Sequence, residues 1–174
     1  MLDDKWKLRL KKWSKELVVM ALIIFIVSNV MSLLRSPDIK DKTLPEISGI
    51  LSNGEFFSTK DFNNQPTLIH FWATWCPTCK LEAANIQAIS KEYNVLTIAV
   101  KSGSSEKINT YLNNNHLDYA VINDDEGKLA QRFLVQAYPT SFIYNKNNEL
   151  SFTEVGYTST WGLKLRMWWA SLNH

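Results

Sequence analysis

Hydrophobic and polar positions divide the chain into three stretches. Residues 17–34 run eighteen positions without a charged side chain. As a helix they would span about 27 Å at ~1.5 Å per residue, close to the ~30 Å hydrocarbon core of a bilayer. Residues 35–45, with Pro37, Asp38, Lys40, Asp41, Lys42 and Pro45, are polar and aperiodic and predict a linker. From residue 46 to the end, short apolar runs alternate with helical periodicity, the pattern of one α/β domain.

Within that domain the pattern predicts a short strand over 54–57 after an Asn53-Gly54 turn and a stronger strand over 67–72, apolar except at His70. A helix follows over 77–91, with Ala83, Ile86, Ile89 and Tyr93 on one stripe. Residues 95–100 read as a buried strand, and Ser104 or Ser105 caps a helix to about residue 114. A strand over 119–122 precedes a short helix capped by Asp124 or Asp125 and running through Phe133. Strands over 140–144 and 150–155 flank Asn147-Asn148 as a hairpin, and Thr160 opens a last helix, whose Trp161, Leu165, Trp168 and Trp169 are expected to face the core. The order β-β-α-β-α-β-α-β-β-α predicts a mixed sheet with helices on both faces.

Charge sharpens the reading of the first stretch. The net charge of +2 conceals an asymmetry, with seven Lys/Arg and three Asp/Glu in residues 1–35 and twelve against fourteen in the rest. The larger part therefore carries no basic footprint for nucleic acid. Lys5, Lys7, Arg9, Lys11, Lys12 and Lys15 precede the uncharged run, whereas the twelve residues after it hold Arg35, Lys40 and Lys42. By the positive-inside rule residues 1–16 form a cytoplasmic basic segment and 17–34 a transmembrane anchor. Trp6, Leu10, Trp13 and Leu17 share a helical face, as an interfacial aromatic belt would. The rival is a cleaved signal peptide, but the run exceeds the ~7 to 15 residues of such an apolar region and no small-x-small cleavage site follows it. With Gly and Pro at six and five residues and 45% of the chain hydrophobic, disordered and collagen-like classes are excluded.

The chemistry lies at Trp75-Cys76-Pro77-Thr78-Cys79, where a buried strand turns into a helix. A helix N-terminus offers free N–H groups and a partial positive charge, which favour a thiolate. Cys76 is the expected nucleophile. Cys79, one helical turn later, is placed to attack a mixed disulfide and release product, and Pro77 at the first helical position costs no hydrogen bond. Other uses fit less well. So short a loop constrains an unfolded chain little, which argues against a structural disulfide. Zinc wants four ligands, but His70, His116 and His174 lack finger-like spacing. A haem attachment motif needs His where Lys80 stands. No cofactor or bound metal is expected, although a copper-binding module using the same two thiols remains an alternative; Thr74 stands where copper carriers of the Met-x-Cys-x-x-Cys kind place Met.

The stretch Phe71-Trp72-Ala73-Thr74-Trp75-Cys76-Pro77-Thr78-Cys79-Lys80, with Ala137-Tyr138-Pro139-Thr140 downstream, resembles membrane-anchored thioredoxin-fold proteins of the TlpA/DsbE type. The ending, Gly156-Tyr157-Thr158 through Trp161-Gly162-Leu163 to Trp168-Trp169, resembles the protein disulfide oxidoreductases of the ScsD kind, associated with bacterial copper tolerance. The resemblance spans about residues 43–170. It implies a thioredoxin-like domain at 46–174 in the periplasm, tethered to the bacterial inner membrane. It further implies exchange with thiols and disulfides of envelope proteins, and electrons from a membrane thiol transporter of the DsbD or ScsB kind. Cytochrome c maturation is the alternative within the same enzyme class, because DsbE-type proteins also carry Trp-Cys-Pro-Thr-Cys.

Carried over by residue, the resemblance makes Cys76 the attacking and Cys79 the resolving cysteine. Pro139 becomes a cis-proline opposite them, preceded by Tyr138, whose main chain meets an extended substrate. Trp75 becomes the aromatic shoulder of the site, and Pro77 and Thr78 the residues between the cysteines. One departure stands out: His70 occupies the position where thioredoxin buries an Asp, so it is either a base for Cys79 or a core histidine. Lys80 and Glu82 are expected on the solvated surface.

Overall fold

A computed structural model describes residues 13–20, 22–23, 26–27, 37, 42–62 and 65–172. The chain divides into two compact units, residues 1–34 and 35–174. In the first, the described residues from Trp13 to Val27 are helical, and their large apolar side chains, Leu17 to Met20, Leu22, Ile23, Ile26 and Val27 among them, are exposed. Much of the anticipated anchor at 17–34, together with Trp6 and Leu10, lies outside the described residues. Among those described, no helix is long and apolar enough to cross a membrane.

The second unit contains β1 (Ser48–Ile50), β2 (Phe56–Ser58), β3 (Thr67–Trp72), α1 (Pro77–Ser90), β4 (Asn94–Val100), α2 (Ser105–Asn114), β5 (Ala120–Asp124), α3 (Lys128–Arg132), β6 (Thr140–Tyr144), β7 (Leu150–Val155) and α4 (Thr160–Leu172). A five-stranded sheet runs β5-β4-β3-β6-β7, with β3, β4 and β5 parallel and β6 and β7 antiparallel to their neighbours. The central position of β3 explains its continuous burial, since both edges pair and both faces are covered.

The two faces are unequal. Leu68, Trp72, Ala99 and Val121 pack beneath α1, α2 and α4, contributed by Ile86, Ile89, Ile108, Leu112, Leu163 and Met167. On the other face, Ile69, Phe71, Ile98, Phe142 and Tyr144 meet Ala130 of α3, Phe133, and Ile47 and Leu51 around the β1–β2 hairpin. The expected helical cover on both faces is thus one short helix plus a hairpin on this side. Strand β1 was not anticipated; only three residues long, it has no apolar alternation of its own and forms by pairing with β2.

Local signals account for the boundaries. Ser104 Oγ accepts the Lys107 N–H and starts α2. Asp124 does not sit next to α3 as a cap would, because it ends β5. Its carboxylate nevertheless accepts the Leu129 and Ala130 N–H groups at 3.1 and 2.9 Å, reaching over the intervening turn. The N-cap is Gly127, without a side-chain cap, so neither Asp124 nor Asp125 is the cap that the sequence predicts, and the helix starts later than their positions suggest.

Candidate active site

Helix α1 begins at the carboxyl end of the central strand. Cys76 is its N-cap, extended at φ −86° and ψ 116°, and Pro77 is the first helical residue. That geometry places the Cys79 N–H 3.2 Å from Cys76 Sγ, so a backbone donor points at the sulfur that must carry charge. The Cys76 thiol in turn lies 3.6 Å from the Tyr138 carbonyl oxygen, its acceptor. Both cysteines are free thiols and both are buried. The Tyr138-Pro139 bond is cis, and because β6 runs antiparallel to β3, with Thr140 opposite Phe71, the loop that enters β6 lies at the same end of the sheet as the dithiol.

The rim is aromatic. Trp75 is 58% exposed and packs edge-on against Tyr138 at 5.7 Å, while its indole N–H donates to the Lys101 carbonyl. Thr78 is half-buried, and Pro77 and Lys80 are exposed.

Glu82 overturns one expectation. Rather than lying on the surface, it is fully buried, one turn beyond Cys79 on the same side of α1. What covers it comes from seventy-six residues downstream. The Thr158 N–H donates to Glu82 Oε1 at 2.8 Å. Asn85 Nδ2 donates to the Thr158 carbonyl, and the Thr160 hydroxyl to Asn85 Oδ1. Gly156, at φ +97°, permits that path: the region disfavours residues with a Cβ, and here it turns the chain from β7 toward α1.

The electrostatics follow from this burial. Desolvation, offset in part by the Thr158 N–H, raises the Glu82 pKa from 4.5 to about 8. Oε2 is buried with no hydrogen-bond partner among the described residues. Burial, the hydrogen bond with Cys76 and the Glu82 charge push the Cys79 thiol well above its ordinary range. Glu82 is the carboxylate whose charge acts on Cys79.

His70 has a different environment. Its Nδ1 lies 2.9 Å from Ser141 Oγ, its register partner across the β3–β6 ladder. Burial holds its pKa down from 6.5 to about 3, so it stays neutral through the physiological range. Unfolding exposes it to protonation below pH 6.5. Its stabilising contribution is complete above that value and lost, at about 1.4 kcal/mol per pH unit, as pH falls toward the folded pKa. The urea stability of native protein minus that of His70→Gln should therefore shrink between pH 6.5 and 4. A pH-independent difference would contradict a buried neutral imidazole.

Among the described residues, no group of three or more His, Cys, Asp or Glu side chains is placed to hold a metal. The dithiol itself offers two sulfur ligands.

Comparisons with known proteins agree with this geometry. The Redoxin family model matches residues 39–163. A thioredoxin-like protein of Haemophilus influenzae is 30% identical over 169 residues, covering 94% of this chain and 98% of its own. The thiol:disulfide interchange protein DsbE of Vibrio cholerae is 27% identical over 119 residues, covering 66% of this chain and 64% of its own. Among solved structures, a thiol:disulfide interchange protein of the thioredoxin family from Chlorobium tepidum superposes with a TM-score of 0.68 at 23% identity, over 76% of this chain and 98% of that one. With the dithiol at a helix start, a cis-proline loop against it and these relatives, the chain belongs to the Redoxin family and is a thiol-disulfide oxidoreductase of the thioredoxin-like type.

Proposed function

We propose that the chain is a membrane-tethered enzyme whose domain at 46–174 exchanges disulfides with envelope proteins in the bacterial periplasm. The observation that carries the exchange chemistry is the dithiol of Cys76 and Cys79 held beside the Tyr138 carbonyl. The uncharged run at 17–34 and the lysines before it support the tether and its orientation.

In the reducing direction, the Cys76 thiolate attacks one sulfur of a substrate disulfide. A Cys76–substrate S–S bond forms as the substrate S–S bond breaks, and the departing substrate thiolate takes a proton. Glu82 then accepts the Cys79 proton, and the Cys79 thiolate attacks Cys76 Sγ. The mixed disulfide breaks, the second substrate sulfur leaves and is protonated, and the protein keeps the Cys76–Cys79 disulfide. Two electrons pass to the substrate, and a membrane thiol transporter of the DsbD or ScsB kind restores them. Trp75 and Tyr138 border the approach, and the Tyr138 carbonyl pairs with the main chain of an extended substrate.

Insulin reduction with dithiothreitol tests the reaction, and an extracytoplasmic reporter fused after His174 tests the orientation. The expected result is turnover that stoichiometric Cu(I) inhibits by occupying the thiols. Tight Cu(I) binding without any insulin turnover would favour the copper-binding module. A reporter active only in the cytoplasm would reverse the topology.

A further inference from the structure

Helix α4 carries two apolar stripes. Leu163, Met167 and Ala170 are buried in the core beneath the sheet. On the opposite side Trp161, Leu165, Trp168 and Leu172, at spacings of 4, 3 and 4, face solvent, with Trp169 beside them. Trp161 is 83% exposed and the other four at least 50%. This corrects the expectation that the tryptophans face the core. At ~3.6 residues per turn the row of four is nearly straight, and at ~1.5 Å per residue it runs about 17 Å. Single exposed hydrophobics are ordinary, but a continuous row of indoles and leucines marks an interaction surface.

We propose that this face of α4 docks on a lipid surface, laying the helix along the interface of the membrane that holds residues 17–34; the proposal rests on the tether described above. The side-chain chemistry points to lipid. An indole joins an apolar ring to one N–H donor, the combination that enriches Trp at the headgroup level. None of these three indoles has a hydrogen-bond partner among the described residues. The row also stands on the outward face of one helix rather than lining a groove, which suits a planar surface.

Charge and reach narrow the choice further. The only cations on α4, Lys164 and Arg166, are each paired with a glutamate, Glu92 and Glu154. Neither is left to seek an acidic protein or an anionic headgroup, so docking is apolar and proceeds on neutral lipid. Lys42 and Leu44 are already hydrogen-bonded to Leu150 and Asn148 of the domain, so seven residues, at most ~3.6 Å each, keep it within about 25 Å of an anchor at 17–34. Tethering at that distance raises the effective concentration of lipid, so a weak contact is populated. Because α4 is joined to α1 through Thr160 and Asn85, docking also sets how the dithiol is presented relative to the membrane.

The test uses the full chain reconstituted in phosphatidylcholine vesicles with brominated acyl chains, reading the bromine-quenched share of tryptophan emission. Trp161→Phe/Trp168→Phe/Trp169→Phe keeps the face apolar but removes its emitters. With each indole counted equally, docking brings five of seven tryptophans to the bilayer, Trp6 and Trp13 included, and the triple variant leaves two of four. The quenched share therefore falls. If α4 stands in water, or a second copy or another protein covers it, the share rises instead, from two of seven to two of four, and the proposal is overturned. Alkaline carbonate tests the tether separately. Protein stripped from vesicles by carbonate, yet losing quenched share in the variant, would remove the anchor and leave the docking face standing. Carbonate-resistant protein whose share rises would do the reverse.

Discussion

Cys76→Ser should lower disulfide-exchange turnover by on the order of 10³-fold or more, because the remaining sulfur, Cys79, is buried and its thiol is pushed up by that burial. Cys79→Ser should behave differently. Its Cys76 still attacks but nothing resolves the product, so a covalent enzyme–substrate species should accumulate to stoichiometry on non-reducing gels and disappear with dithiothreitol. The asymmetry rests on geometry: Cys76 caps the helix beside the Tyr138 carbonyl, whereas Cys79 lies inside the first turn, under the core. Sustained turnover by Cys79→Ser, or trapping by Cys76→Ser instead, would exchange the two roles.

The second large effect belongs to Glu82. With its pKa raised to about 8, the carboxylate is mostly protonated at neutral pH and gains capacity to accept the Cys79 proton as pH rises. Release of the mixed disulfide should speed up about tenfold per pH unit below that value and level off above it. Glu82→Gln should lose this inflection and slow release by about 10²-fold, the usual scale of a positioned general base. Formation of the mixed disulfide should change little. An unchanged inflection in the variant would remove Glu82 from the proton path.

Stability gives an independent reading of the same group. A buried carboxyl with a raised pKa contributes fully below its unfolded value near 4.5, and that contribution is lost as pH rises through the folded value near 8. The native protein should therefore lose about 1.4 kcal/mol per pH unit relative to Glu82→Gln across that window. His70 has the opposite sign, since its contribution is lost on acidification. Between pH 4.5 and 6.5 the two slopes oppose one another, and the native protein should show a plateau there, declining on both sides.

Much of the domain is legible locally. Residues 67–72, 140–144 and 150–155 are strands at those bounds, and Thr160 opens the last helix, because apolar runs, Asn turns and hydroxyl caps act over a few residues. The Cys-Pro-Thr-Cys segment after a buried strand specifies its reaction class in the same way. A thiol pair one helical turn apart, with Pro at the first helical position, has few other uses.

The residues around the dithiol are a different matter. For His70, base and core histidine were equally open from the sequence; Ser141, seventy-one residues away, supplies its hydrogen bond. Glu82 looks like a surface charge beside Lys80, and no local signal distinguishes them. The clue available in the sequence is its spacing, one residue before Ala83 on the apolar stripe and three after Cys79. Whether that side is wet depends on where the chain goes after β7.

Helix α4 makes the same point about a whole face. Its sequence holds two apolar stripes with equally helical spacing, and bulk argues for burying the tryptophans. The buried choice is instead Leu163, Met167 and Ala170, which share a core cluster with Ile86 and Ile89 of α1 and Ile143 of β6. By itself, then, the sequence determined the order of elements from β2 onward and the dithiol at a helix start, since each follows from interactions within one or two turns of chain. Only the tertiary structure decided that Glu82 is dry, that His70 pairs with Ser141, and that the indoles of α4 face outward. Desolvation and stripe choice depend on what packs opposite, and here that includes chain seventy or more residues away.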